Sequence, residues 1–382
     1  MGKKVLHVVN ISFVLPYYLG KQITYFRDKD FSISIACSKS EEFYKFCHVY
    51  KTNPIPLNVS RKFDLFNDLL SVFKLIIQIR KNNFSIVIGH TPKGGLISMA
   101  ASYIANTKKR IYFRHGLMFE TSSGLKRKFL IAIEKFTGLL ATDVICVSNS
   151  VLEVSNKLNL SSPNKNKILN RGTCNGIDSL NKFNPNNISE YVKLNFKKQY
   201  QIFPNDILVG FVGRIVRDKG IEELILAWKN IIIANANVKL ILVGPFEMRD
   251  AVDPLIQEYI VNEKSIIYAG EQIDTVLYYS ILDIFILPSY REGFPTVVLE
   301  ASSMQLPVIT TKNTGCIDSI QDNYTGIYCD LTINSITKSI QYYIDNPLLR
   351  KNHGINGRNF VINNFNPEMI WKEIEKIMTI VN

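Results

Sequence analysis

Two successive series of short, β-branched apolar runs, each run followed by a helical pattern or loop, constrain this chain more than any other feature. VLHVV, FSISIAC, SIVIGH, RIYFRHG and DVICVS form the first series, with a Leu- and Phe-rich helix from Asp64 to Arg80 between its second and third members. Runs that are apolar throughout suit strands buried on both faces, and their alternation with helices is the βαβ pattern of a parallel sheet. The pattern halts in the Asn-rich stretch FNPNNISEY and restarts with DILVGFVGR, VKLILVG, SIIYAG, IFILPS and PVITT. The expectation is an α/β protein of two parallel-sheet domains, residues 1–185 and 186–365, with the boundary in the loop-like segment 180–205. An amphipathic helix over 366–382, starting at Asn366-Pro367, is free to pack back on either domain, the N-terminal one included. At 382 residues the chain also exceeds the ~250 to 300 at which a single core stops growing.

Several classes drop out. No apolar run approaches the ~18 to 20 residues that cross a bilayer. The opening MGKKVLHVVNISFVLPYYLG has a basic start and an apolar stretch like a leader, but VLHVV reads better as a first buried strand. MGKKVL lacks the Ser or Thr that ends a myristoylation signal. The six cysteines form no CxxC pair and the five histidines show no ligand spacing, so a cytoplasmic protein without a structural metal is expected. Charge is unevenly spread: residues 1–180 hold 26 basic and 11 acidic side chains, leaving 19 and 22 for the remainder, so the first half carries +15 and the second −3, for a net +12. Such asymmetry points to an anionic partner, nucleic acid or an acidic membrane surface.

Ligands of open α/β sheets sit at the carboxyl ends of the strands, so two facing domains would make a cleft with a pocket from each side. GFVGRIVRDKG follows a strand and precedes the helix IEELILAWKN. Gly213 lets the chain turn closely, and Arg214 and Lys219 bring two cations to a helix N-terminus that already favours phosphate. A basic solvated loop would read the same. Further on, PSYREGFPTVVLEA holds two glutamates. Pro295 suits a first helical position, which puts Gly293 and Phe294 at the cap and Glu300 about one and a half turns inside the helix. Glu292 then lies on the loop before it; the plainer alternatives are a surface carboxylate for Glu292 and an exposed helix face for Glu300.

Together, GRIVRDKG and PSYREGFPTVVLEA resemble the retaining nucleotide-sugar glycosyltransferases of family 4, of the bacterial surface-polysaccharide (O-antigen and capsule) type, which have the two-Rossmann GT-B fold. The resemblance implies that Arg214 and Lys219 bind a donor diphosphate and stabilise the departing nucleotide. It implies that Glu300 accepts hydrogen bonds from ribose hydroxyls, and that Glu292, with the backbone N–H groups of Gly293 and Phe294, meets the donor sugar and its distal phosphate. Backbone near Gly270 and Glu271 would lie by the base, most often uracil in this family. In RIYFRHG the resemblance places His115 at the donor sugar and reacting centre. VIGHTPKGG resembles an acceptor-side HTPKAG segment, with Lys93 and Gly94 at a helix start where an acceptor phosphate could bind and His90 beside them. NRGTCNGIDSLNKF resembles the family's hinge segment. Many members carry a Gly-Gly pair in the first strand-helix loop; here VVNISF stands in its place, with Asn10 and Ser12 as substitutes.

Asp28-Lys29-Asp30 spells a metal-binding D-x-D but sits at a helix end in a charged run, as a solvated turn would. The cations Arg214 and Lys219 can do a metal's electrostatic work, so no metal and no cofactor beyond a UDP-sugar co-substrate is expected. Over residues 122–141, Leu125, Phe129, Ile133 and Phe136 share one face, with Lys126, Arg127, Lys128 and Lys135 around it. Such a helix lies in a bilayer interface or packs that face on the core. The +15 half favours the membrane reading, while no motif supports nucleic acid. The expected activity is transfer from a UDP-sugar to an undecaprenyl-diphosphate-linked saccharide at the inner face of the cytoplasmic membrane. Rival readings are a non-hydrolysing UDP-sugar 2-epimerase and a non-enzymatic nucleotide-sugar-binding protein.

Overall fold

Each series of apolar runs closes into its own parallel sheet. The structure, a computed structural model, describes residues 3–59 and 64–379. The first sheet contains β1 (Lys4–Val8), β2 (Ser32–Ser38), β3 (Asn53–Leu57), β4 (Ile86–His90), β5 (Lys109–Arg114), β6 (Asp143–Cys146) and β7 (Asn166–Ile168), in the order β3-β2-β1-β4-β5-β6-β7. The second contains β8 (Ile207–Val212), β9 (Val238–Val243), β10 (Ile266–Gly270), β11 (Ile284–Leu287), β12 (Val308–Thr311) and β13 (Gly326–Cys329), in the order β10-β9-β8-β11-β12-β13. Strand order reverses between β1 and β4 in one sheet and between β8 and β11 in the other, the positions at which doubly wound sheets open toward ligands.

The chain divides into two compact units, one running to Gly176 and resuming at Pro367, the other spanning Ile177–Asn366. The division falls earlier than residue 185, and packing explains why: Ile177, Phe183 and Ile202 are buried in the core of the second unit. The supposed loop segment also folds a helix, Glu190–Gln199, capped by the Ser189 side chain. The last helix, Pro367–Thr379, belongs to the first unit. It buries Ile370, Ile374, Ile377 and Met378, accepts a hydrogen bond from Tyr25 Oη at Glu375 (2.7 Å), and donates one from Trp371 Nε1 to Asn175 (2.8 Å).

In the second unit the core gathers around Trp228, fully buried with its indole N–H on Ser265 Oγ at 3.0 Å. In the first unit the helices Leu65–Asn82, Pro92–Ile104 and Gly124–Leu140 pack side by side in that order over one face of the sheet. Leu75 and Ile79 of the first of them reach Leu6, Val8 and Val87 of the strands.

Candidate functional site

In the second unit, Gly213 and Arg214 leave the end of β8. The chain then makes a 3-10 turn, Arg217–Lys219, and swings through Gly220 into the helix Ile221–Ala234, held by buried Ile221, Leu224, Ile225 and Trp228. Gly220 has φ +68°, and a Cβ there would stand 1.9 Å from the carbonyl oxygen of Pro288, so only glycine lets the two loops approach this closely. The loop after β11 lies on this turn. Tyr290 N and Ser289 Oγ both donate to the Asp218 carbonyl, at 2.9 and 3.1 Å, and Arg291 pairs with the Asp218 carboxylate at 2.7 Å.

This stitching joins the two motifs. Lys219 Nζ donates to Glu292 Oε1, and the two side chains are only 15% and 14% exposed. Sequence reasoning gave these residues separate ligand groups; the fold couples them in one ion pair. Arg214, more open at 43%, pairs with Glu247 at 2.8 Å. Neither Asp218 nor Glu247 stood out in the sequence.

Two expectations about the following helix change. The helix runs Thr296–Ser303 with Pro295 at its cap, not at its first helical position, so Glu300 stands just over one turn inside. Glu300 is also no exposed helix face: it is 8% exposed and accepts a hydrogen bond from Tyr279 Oη at 2.9 Å. Burial raises its carboxyl pKa, against the opposing pull of Tyr279 and of the Lys182 charge. Gly293 and Phe294 are half-buried before the helix, Phe294 packing on Phe365, and Gly270 closes β10.

Sequence reasoning missed the loop after β12. Thr314 O accepts from Glu292 N at 2.9 Å. Gly315, at φ +78°, lies so close beneath that a Cβ would sit 2.6 Å from the carbonyl oxygens of Glu292 and Gly293. The only available signal was the Asn-Thr-Gly turn following PVITT.

In the first unit the ends of β1, β4 and β5 bring three histidines together. His7 Nδ1 lies 3.1 Å from His90 Nε2, and His90 Nδ1 lies 3.0 Å from His115 Nε2. Tyr18 stacks on His115 with ring centroids 3.7 Å apart. Burial pushes His7 and His115 down to about 3 and His90 well below its usual value, the neighbouring imidazoles adding to the last. The rings are therefore neutral at physiological pH. Asn10 is buried and accepts from Thr91 Oγ1 at 2.7 Å, whereas Ser12 is half-buried in a 3-10 turn. Gly94 N donates to Thr91 Oγ1 at the start of its helix. Lys93 differs from the expectation of an ammonium offered at that helix start: it is 6% exposed and paired with Asp68 at 2.8 Å. Asp28 and Asp30 fall in the turn between the helix Gln22–Arg27 and β2.

The helix Gly124–Leu140 keeps three of its four stripe residues out of the core, Ile133 being half-buried. Leu125, Phe129 and Phe136 are 83%, 56% and 49% exposed, and Lys126, Arg127 and Lys128 are exposed beside them. Its inward face is anchored by Glu134, which takes the Arg114 guanidinium at 2.9 Å and the Tyr112 hydroxyl at 3.0 Å. The helix Leu65–Asn82 goes further. While Ser71, Leu75 and Ile79 face inward, Leu65, Phe66, Leu69, Leu70, Phe73 and Ile77 stand 41–79% exposed at helical spacing. The Leu- and Phe-rich pattern marked that helix as apolar without distinguishing this second, outward face.

Two doubly wound parallel sheets, with a cation–carboxylate pair tying together the strand-end loops of the second, define the class: a GT-B glycosyltransferase. Residues 4–148 match the model of "Glycosyl transferase 4-like" proteins and residues 192–360 that of "Glycosyl transferases group 1". The capsular polysaccharide biosynthesis glycosyltransferase CapM of Staphylococcus aureus is 34% identical over 98% of this chain and 97% of its own. The UDP-Gal:alpha-D-GlcNAc-diphosphoundecaprenol alpha-1,3-galactosyltransferase of Escherichia coli is 25% identical over 92% of this chain and 88% of its own. Among solved structures, Anabaena Alr3699/HepE in complex with UDP and glucose superposes with a TM-score of 0.83 at 17% identity, covering 99% of both chains. A Rickettsia africae glycosyltransferase gives 0.82 at 21%, covering 99% of this chain and 98% of its own. The chain belongs to glycosyltransferase family 4, among members of the bacterial surface-polysaccharide type.

Proposed function

We propose that the protein transfers a hexose or N-acetylhexosamine from a UDP-sugar to an undecaprenyl-diphosphate-linked saccharide, with retention at the anomeric carbon, during O-antigen or capsule assembly. The observation that carries this reading is the Lys219–Glu292 pair, held where the β8 and β11 loops meet, with buried Glu300 on the helix that follows directly. In this mechanism Arg214 and Lys219 neutralise the departing diphosphate, which removes the need for a metal at that step. Glu300 takes the ribose hydroxyls, its acceptor oxygens in a buried setting where hydrogen bonds to charge are strong. Glu292 and the backbone of Gly293 and Phe294 orient the sugar, and His115 meets it near the reacting carbon. Positioning and charge stabilisation carry the step, with no enzyme nucleophile. The Escherichia coli relative, whose acceptor is an alpha-D-GlcNAc-diphosphoundecaprenol, supports the acceptor class.

A lipid-linked acceptor requires work at a membrane, and no helix among the described residues is long and apolar enough to cross one. The outward apolar residues of the helices Leu65–Asn82 and Gly124–Leu140, with Lys74, Lys126, Arg127 and Lys128 among them, suit the cytoplasmic leaflet: apolar side chains enter the interface and the cations meet anionic headgroups.

A donor screen tests the core of the proposal. UDP-sugars should protect the protein against thermal unfolding where GDP- and ADP-sugars do not, and binding of GDP-mannose alone would overturn the uracil assignment. His115→Ala should abolish transfer while protection by UDP persists. Formation of a 2-epimer from the UDP-sugar without any acceptor would instead favour an epimerase.

A further inference from the structure

The array His7–His90–His115 spans three neighbouring strands, since β1 pairs with β4 and β4 with β5. His7 and His90 are each 1% exposed. Their rings lie nearly parallel, 17° apart, and Phe113 packs along both His90 and His115. A neutral imidazole carries one N–H and one bare nitrogen. Each link in the array therefore needs one proton, and the links are not independent. If His90 donates through Nδ1 to His115 Nε2, its own Nε2 is bare and must accept from His7 Nδ1. If His115 donates through Nε2 to His90 Nδ1, His90 must donate onward to His7 Nδ1. In the first arrangement all three rings carry the proton on Nδ1; in the second all three carry it on Nε2. Any mixture places two N–H groups or two lone pairs face to face in a buried site.

We infer that His7 and His90 are positioning residues for transfer: they set, as one unit, which nitrogen of His115 bears the proton and so whether its remaining nitrogen donates or accepts. Tyr18, flat on the His115 ring at 8°, keeps it from rotating away. The inference rests on the reading of His115 as the residue at the donor sugar.

Nitrogen-15 NMR of the full-length, histidine-labelled protein between pH 6.5 and 8 reads the tautomers directly. The expected result is one shared tautomer for His7, His90 and His115, and differing tautomers among them overturn the inference. Asn places an amide near the position of Nδ1, so His7→Asn can keep the link, whereas His7→Phe fills the space and cuts it. His7→Phe should scramble the tautomers of His90 and His115 and lower kcat by about tenfold at unchanged KM, with His7→Asn recovering most of the loss. A purely packing role predicts the reverse ranking, and that ranking, or unchanged kcat in His7→Phe, overturns the positioning role. His115→Ala in the same assay separates the two failures: if it transfers normally, the reading of the site has failed, while the tautomer result stands by itself.

Discussion

The strand ends of the two sheets are built on opposite electrostatic plans. In the second unit the candidate site is made of full charges, Arg214 with Glu247 and Lys219 with Glu292, each cation matched by a carboxylate from another loop. In the first unit it is made of three rings that burial keeps uncharged. A charged site attracts a phosphate and must regulate its own repulsions and pairings. A neutral imidazole site has little long-range field and offers direction instead, a donor or an acceptor at a fixed place.

The largest expected effect tests the charged plan. Lys219→Ala removes one diphosphate cation and strands Glu292, and kcat/KM should fall by about a hundredfold to a thousandfold, with weaker protection by UDP. If UDP protection is untouched, the charged site binds something else. A second test addresses the face that the first unit turns outward. The double variant Leu69→Ser, Phe73→Ser should bind vesicles containing anionic phospholipid about tenfold or more weakly, since each fully buried apolar side chain contributes about 1.5–3 kcal/mol. Activity on a short, water-soluble acceptor should be unchanged. Intact vesicle binding together with a change in sedimentation from dimer to monomer would assign that face to a second copy of the chain.

A third test is a pH dependence of opposite sign in the two sites. Histidines held neutral in the fold protonate in the unfolded chain below about 6.5, so the first unit should lose stability as pH falls from there toward 3. Each fully buried histidine contributes at most about 1.4 kcal/mol per pH unit to that slope. Glu300, with its pKa raised, gains from acidification instead, although His353 in the second unit is also lowered by burial and offsets part of that gain. Hydrogen exchange resolved by peptide, between pH 7 and 5, should show protection falling earlier around β1, β4 and β5 than around β8 and β11. Equal losses in both would erase the distinction.

What could be read in advance followed the same divide. The strands buried on both faces were legible because nothing but apolar residues fits there, whereas β3 (NPIPL) hid behind two prolines that an edge strand tolerates, and β7 is only Asn-Lys-Ile. The charged motifs were legible because cations and carboxylates near glycines are rare enough to notice. The histidine array was not: His90 and His115 stood out separately and His7 not at all, because the three lie 83 and 25 positions apart in sequence, and only the β1-β4-β5 strand order makes them neighbours. The outward face of Leu65–Asn82 was hidden for a different reason. A helix apolar on both sides gives no polar stripe by which to tell core from surface. Lys93 looked available because its partner, Asp68, sits on a different helix.

Gly220 and Gly315 have a consequence for anyone seeking to redirect the donor preference of such a site. Both place main chain against carbonyl oxygens of the β11 loop, at separations that no methyl group survives. The frame thus has no spare thickness, and a library that randomises it will mostly return misfolded protein. Residues whose side chains leave the frame can vary without moving it, provided ties such as that of Tyr290 Oη to Glu223 are kept. In this site the practical unit of redesign is the side chain and not the loop.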